Sequence, residues 1–289
     1  MSWFSFHGGH SGQFCAHAKG TLREVVERAI ALGFTHYGLS EHAPRFRDVD
    51  LYPGEEALGT TGLERAFQAY VAEAIALRSE YGDRIELLIG FETETLPPVI
   101  WPDTMRRLRE ENPFDYMVGS VHDIDGRWVD FSRAETERLK ADLGGPEALH
   151  LAWFQQMTAM VEALRPEVVG HIDLIRKFEP RGFAFGPRAL LAAERLLEAV
   201  RATGGVLDLN CAPVRNGYGA AYPQPALLDM AERMGVGVTL GDDSHGPETV
   251  GVGLEASLAA AATAGYRSIQ CLSAKRGWET VPIERVSRP

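Results

Sequence analysis

The sequence predicts an α/β fold built around a parallel barrel, and three observations carry that prediction. Short β-rich runs alternate with amphipathic helical stretches along the 289 residues, the pattern of parallel strands joined by helical crossovers. No Pro-, Gly- or Ser-rich linker interrupts the alternation, which predicts one domain over residues 1–289. Potential metal-ligating side chains stand just past the end of strand after strand, where a barrel would gather them at one mouth.

In chain order, the strand-like runs are Trp3–Phe6, Thr35–Ser40, Ile85–Gly90, Asp115–Ser120, Val168–Gly170, Val206–Asn210, Val236–Leu240 and Ser268–Leu272. Each is short, rich in β-branched or aromatic residues and bounded by turn formers. Between the first two, Thr21-Leu-Arg-Glu24 reads as a capping box: a threonine oxygen and a glutamate three residues on satisfy each other's free N–H groups. Leu22, Val25, Val26, Ala29 and Ile30 then share a face, and Gly33 suits the left-handed residue after a helix. Thr61-Gly-Leu-Glu64 repeats the box before a helix presenting Phe67, Tyr70, Val71, Ala74 and Ile75 and ending near Gly82. Pro146 and Pro187 suit first-turn positions of later helices, and Gly204, Gly205 and Gly235 mark helix ends before the next strands.

Composition narrows the function. Against 29 Lys plus Arg stand 40 Asp plus Glu, so the formal net charge is 29 − 40 = −11. Nucleic acid and anionic membranes both call for a basic surface, so the charge argues against either as a partner. No stretch approaches the roughly 18 apolar residues of a membrane span. Cys15, Cys211 and Cys271 are odd in number and widely spaced, which fits a reducing cytoplasm better than a secreted disulfide framework.

His7 and His10 follow the first strand, His42 the second and Glu92 the third. His122 follows the fourth, His171 the fifth, Asn210 ends the sixth, and Asp243 with His245 follow the seventh. Imidazole nitrogen and carboxylate oxygen together suit zinc, iron(II) or manganese, and a carboxylate such as Glu92 can bridge two ions. His36 and His150 lie off this series, within or before a strand and within a helix, and read as structural.

The motifs His10-Ser-Gly, Cys15-Ala-His17, Ser40-Glu-His-Ala-Pro44, Gly119-Ser-Val-His122, Gly170-His-Ile-Asp-Leu174 and Gly241-Asp-Asp-Ser-His245, in this order, resemble the polymerase and histidinol phosphatase (PHP) superfamily of phosphoesterases. Within it the chain looks like the histidinol-phosphatase branch. The resemblance implies a distorted (β/α)7 barrel, TIM-barrel-like, with the eighth strand-like run peripheral. It also implies a trinuclear centre of divalent ions, two or three of manganese, iron or zinc. One metal would take His7, His10, Glu92 and Asp243; a second Glu92, His122 and His171; a third His17, His42 and His245. Cys15, two residues before His17, suggests a thiolate donor, but the family pattern uses the histidine and the thiol reads as a small buried side chain. Where the family has His-x-His, this chain has His7-Gly-Gly-His10. That spacing points the two rings apart unless the glycines absorb a residue in a bulge.

Such a centre suits hydrolysis of a phosphomonoester by in-line attack of a metal-bound hydroxide, with Glu92 and Asp243 carrying the catalytic metals. Arg215 is the preferred phosphate clamp, Arg176 and Lys177 are further candidates, and Asn210 can hydrogen-bond substrate. The expected substrate is small and phosphorylated, L-histidinol phosphate first, with Glu94, Asp123 or Glu41 to meet its ammonium. Another phosphomonoester or nucleotide, an amidohydrolase reaction and a non-catalytic interaction module are the alternatives. The oligomeric state is not set by the sequence.

Overall fold

The computed structural model describes residues 2–288. Seven parallel strands form one sheet, hydrogen-bonded in chain order: β1 (Phe4–Ser5), β2 (His36–His42), β3 (Glu86–Glu92), β4 (Val118–Gly119), β5 (Val168–Val169), β6 (Val206–Asn210) and β7 (Val238–Gly241). The sheet curls until its edges meet. Phe6 N–H donates to Leu240 O at 2.9 Å, and Asp242 N–H donates to Ser5 Oγ at 2.9 Å. The result is a nearly closed barrel, which removes the open edges of a flat sheet.

The eighth strand-like run lies outside it. Ser268–Ser273 pairs antiparallel with Gly277–Pro282 in a separate hairpin. Glu86, the first residue of β3, accepts from Ser273 Oγ at 2.9 Å and Ala274 N at 2.8 Å, which seats the hairpin at the N-terminal end of the barrel. The fourth run is also shorter than its sequence suggests, for a visible reason. Asp115 Oδ2 takes the N–H of Ile89 (2.8 Å) and Glu167 Oε2 takes that of Met117 (3.0 Å), so side-chain carboxylates replace ladder partners there.

Helices α1 (Leu22–Ala31), α2 (Gly59–Tyr81), α3 (Trp101–Glu111), α4 (Arg133–Asp142), α5 (Pro146–Leu164), α6 (Pro187–Thr203), the single turn α7 (Ala212–Arg215), α8 (Pro225–Arg233) and α9 (Leu254–Thr263) fill the crossovers. The first capping box forms as read: Glu24 N–H donates to Thr21 Oγ1 (3.2 Å) and Thr21 N–H to Glu24 Oε2 (2.7 Å). The second does not, because α2 begins at Gly59 and Thr61 falls inside its first turn. Pro146 and Pro187 open α5 and α6, and Gly204 ends α6 with φ of 80°.

The core is continuous from the barrel interior to the inner faces of the helices. Inside the barrel, Tyr116 fills the space left open by Gly38 and Gly90. A Cβ at Gly38 would overlap Tyr116 Oη, and one at Gly90 would come within 2.6 Å of the ring. Gly38→Ala should therefore overpack the interior and cost about 1–3 kcal/mol. Chemical denaturation should show a lower midpoint at unchanged slope, and an unshifted midpoint would contradict this packing.

Candidate metal centre

The centre forms where neighbouring strands end. His42 and Glu92, the last residues of β2 and β3, are register partners, so their side chains leave the same side at the same height. His42 Nδ1 lies 3.0 Å from Glu92 Oε2, with His10 Nε2 at 3.7 Å from the same oxygen. Glu92 Oε1 faces His7 Nε2 at 3.1 Å, His171 Nε2 at 3.1 Å and His122 Nε2 at 3.4 Å. One buried carboxylate thus gathers five imidazoles from four strand ends. His17 and His245 complete the outer side, their ring centroids 4.9 Å apart and 5.2 and 5.7 Å from that of His42. Asp243 Oδ1 stands 4.0 Å from His10 Nε2 and 3.5 Å from His245 Nδ1. By contrast His36 pairs with Glu86 at the far end of β2, and His150, on α5, pairs with Glu179, both outside the centre as expected.

The His7-Gly-Gly-His10 spacing is absorbed by the glycines. Gly8 and Gly9 take φ of +141° and +78°, a path denied to other residues, and both histidine rings end up buried against the same carboxylate. The loop is docked on the one after β7: Gly9 N–H donates to Ser244 Oγ (3.0 Å), His10 N–H to Ser244 O (3.0 Å), and Asp243 N–H to His7 O (2.8 Å). His171 and Asp243 also hold positive φ, 21° and 47°.

Three buried carboxylates orient rings through the nitrogen turned away from Glu92. Glu41 meets His10 Nδ1 at 3.1 Å, Glu94 meets His122 Nδ1 at 3.1 Å, and Asp208 meets His7 Nδ1 at 2.6 Å while accepting the His171 N–H at 2.6 Å. Fixing one nitrogen in this way presents the other to a cation. Asn210 belongs to the same frame: its Nδ2 donates to Asp208 Oδ2 (3.0 Å) and Asp243 Oδ2 (3.1 Å), and its Oδ1 accepts Ala212 N–H (2.9 Å). Sequence reading passed over Asp208; a lone charge within an apolar strand, two residues before Asn210 and so on its face, is the signal that could have found it.

The electrostatics match a cation site. Burial would raise the Glu92 carboxyl, but His7, His42 and His122 outweigh it and hold it well below the usual carboxylate range. Burial likewise opposes charge on His7 and His122, yet the carboxylates around them raise both well above an ordinary histidine. Burial and the charge of His10 push His42 well down and hold His245 at about 4, so these two keep the neutral lone pair that metal binding needs. His10 Nε2 and His42 Nε2 are buried without a hydrogen-bond partner, and His42 Nδ1, 3.0 Å from Glu92 Oε2, is not aligned for a hydrogen bond. Orphaned buried nitrogens are costly, and a cation among them would satisfy them. The donors Cys15, His17, His42 and His245 lie within 4.8 Å of one another, as do His7, His10 and Asp243, and His7, Glu92 and His171. The set fits divalent metal ions.

The cluster floors a cavity of about 380 Å³, within the range of small-molecule sites. Arg215 and Lys177 line it; Arg176 does not. Arg215 Nη1 and Nη2 donate to Asp242 O (2.6 Å) and Asp243 O (2.8 Å), tying it to the ligand loop. Arg176 holds Asp173 at 2.7 Å and the carbonyls of Ala220 and Ala221, with its guanidinium 4.5 Å from the Tyr222 ring. Asn210 is buried behind the cluster. Glu41, Glu94 and Asp123 are absent from the lining as well, the last bonded to Thr95 and Gly126. Asp130 is the acid that lines the cavity besides Glu92 and Asp243 among the described residues, and it was missed because its loop follows an irregular hairpin, Asp123–Ile124 with Arg127–Trp128.

A family model described as the PHP domain matches residues 8–212. The chain belongs to the PHP domain family. Among PHP relatives, the protein named "Probable histidinol-phosphatase" of Schizosaccharomyces pombe is 38% identical over 248 residues, covering 84% of this chain and 81% of its own. The histidinol-phosphatase of Saccharomyces cerevisiae is 28% identical over 282 residues, covering 85% and 84%. In fold, the Listeria monocytogenes structure described as a "putative histidinol phosphatase" superposes with a TM-score of 0.77 at 25% identity, over 87% of this chain and 98% of that one. The histidinol phosphate phosphatase of Lactococcus lactis, solved with zinc, L-histidinol and phosphate, gives 0.73 at 21% identity over 96% and 99%, a likeness of fold.

Replacing Asp208 by Ala should free the His7 ring and the His171 N–H together and lower metal affinity about 10–100-fold. Metal content after dialysis against graded chelator measures this; wild-type retention in a folded variant would remove Asp208 from the frame.

Proposed function

We propose that this chain is a cytoplasmic histidinol-phosphatase. As one domain over residues 1–289, it hydrolyses L-histidinol phosphate to L-histidinol and inorganic phosphate with two or three manganese, iron or zinc ions in the cluster. The carrying observation is the cavity itself, a metal-donor floor beneath walls of both charges. The names of the relatives support the substrate. No helix among the described residues is long and apolar enough to cross a membrane, and all three cysteines are free, which supports a reducing compartment. The net charge of −11 supports a small substrate over nucleic acid.

Divalent cations held by His7, His10, His17, His42, Glu92, His122, His171, Asp243 and His245 would supply Lewis acidity toward the phosphoryl oxygens and toward water. The remaining work falls to side chains. Arg215 commits two of its N–H groups to the Asp242 and Asp243 carbonyls and has others to give a phosphoryl oxygen. Lys177 Nζ lies 3.5 Å from Asp130 Oδ2, so the pair offers adjoining positions for the phosphate and for the ammonium of the alcohol. Tyr52, backed by the Trp128 ring with centroids 4.3 Å apart, and half-exposed Phe131 and Tyr218 line the cavity and give aromatic surfaces for an imidazole.

Protein stripped by chelator and reloaded separately with manganese, iron or zinc should release phosphate from histidinol phosphate faster than from a panel of small esters. Equal rates across the panel would refute the substrate, and no rate with any metal would refute the activity. Asp130→Asn should lower kcat/KM for histidinol phosphate about tenfold or more, the worth of a charged hydrogen bond, while sparing esters of uncharged alcohols. An equal loss on both would refute ammonium recognition by Asp130. Arg215→Ala should lower metal content as well as kcat/KM, because it also frees the Asp243 loop; a purely kinetic loss would restrict Arg215 to the substrate.

A further inference from the structure

We propose that Cys15 is a fourth protein donor of the outer cation position, which makes that position a site of one thiolate and three imidazoles, suited to zinc or iron(II) over manganese. The proposal rests on the metal-centre reading above and deepens it. Cys15 Sγ lies 3.4 Å from the His17 ring nitrogens, and one ligand atom from each of Cys15, His17, His42 and His245 falls within a 4.8 Å set. A tetrahedral zinc ion about 2.3 Å from sulfur and about 2.0–2.1 Å from nitrogen needs sulfur and nitrogen about 3.5 Å apart. The sulfur–nitrogen distance already has about that length; because the sulfur stands level with both nitrogens, the His17 ring turns on binding to aim one lone pair at the shared ion, and side-chain rotation closes the wider edges.

Local structure places the thiol there. Cys15 N–H donates to Ser11 O (2.9 Å) and Ala18 N–H to Cys15 O (3.2 Å), a tight turn that brings side chains 15 and 17 to one side. Cys15 is buried behind the exposed His17. A second observation points independently to an ion: the His42 side chain is 8% exposed, and its Nε2, on the far side of the ring from the Nδ1 that meets Glu92, has no hydrogen-bond partner. The other cysteines are placed differently. Cys211 Sγ donates to Val252 O at 3.1 Å, and Cys271 sits on the peripheral hairpin; Cys15 Sγ instead faces the His17 ring, with the backbone N–H groups of His17 and Ala18 beside it.

On binding, sulfur gives a lone pair to the cation and the thiol proton leaves to solvent, with no change of oxidation state. A thiolate is a soft donor, favoured by zinc and iron(II) and poorly matched to manganese. The outer position would then differ from the two inner ones, which offer imidazole and carboxylate.

Cobalt(II) titration of the chelator-stripped full chain tests this. Wild type should develop a near-ultraviolet thiolate-to-cobalt charge-transfer absorption as the outer position fills. The absorption should vanish in Cys15→Ser and persist in the Cys211→Ala, Cys271→Ala double variant, where Cys15 is the sole cysteine. Cobalt binding without the absorption in wild type or in the double variant, or its survival in Cys15→Ser, would overturn the proposal while leaving the histidine–carboxylate centre intact. Failure of wild type to bind cobalt would overturn both. Should Cys15→Ser not fold, the double variant alone decides.

Discussion

The Glu92 carboxylate is the constraint on which the centre depends. An isolated buried carboxylate is expensive, and this one is 1% exposed. It is stable there because imidazoles surround it, and the imidazoles can be buried because carboxylates surround them in turn. Taking out one member leaves a charge or a donor stranded in a dry site, so the members are energetically coupled. The barrel makes the arrangement possible by delivering these residues from several different strand ends to one mouth.

That geometry explains what the sequence could reveal. Strand-end ligands were legible because β-rich runs are recognisable and a parallel barrel sends their C-terminal ends to one mouth. His7, His10, His17, His42, Glu92, His122, His171, Asp243 and His245 are all at the centre. Strand count was harder: the run at Ser268 has the pattern of a barrel strand, and nothing local distinguishes it from one that turns back on itself. The substrate side was less legible still. Arg176 and Lys177 are consecutive, yet one holds the Tyr222 loop and the other faces the cavity, because the short 3-10 turn carrying them has no repeating apolar pattern to orient a side chain. Glu41, Glu94 and Asp123 sit beside ligands in sequence for a different reason than substrate recognition: the first two orient rings and the third shapes a turn.

The carboxylates behind the rings also bear on selectivity. Glu41, Glu94 and Asp208 each raise the basicity of an inner histidine, whereas the carboxylates that meet His42 and His245, Glu92 at 3.0 Å and Asp243 at 3.5 Å, belong to the donor set itself. The inner and outer parts of the centre therefore differ in donor strength, and ions of different hardness can coexist in one cavity.

The docking of the Gly8–Gly9 loop on Asp242–Ser244 joins residues more than 230 positions apart in the chain. During synthesis, His7 and His10 emerge first, meet β2 and β3 at Ser40, Glu41 and Glu92, and gain the rest of their seat only when the loop after β7 arrives with Asp243 and His245. The centre is thus closed by the last barrel strand to be made, and a chain arrested before it holds an incomplete set of ligands. Glu92, His122 and His171 are in place before that strand, so it is the filling of the whole donor set that reports a closed barrel.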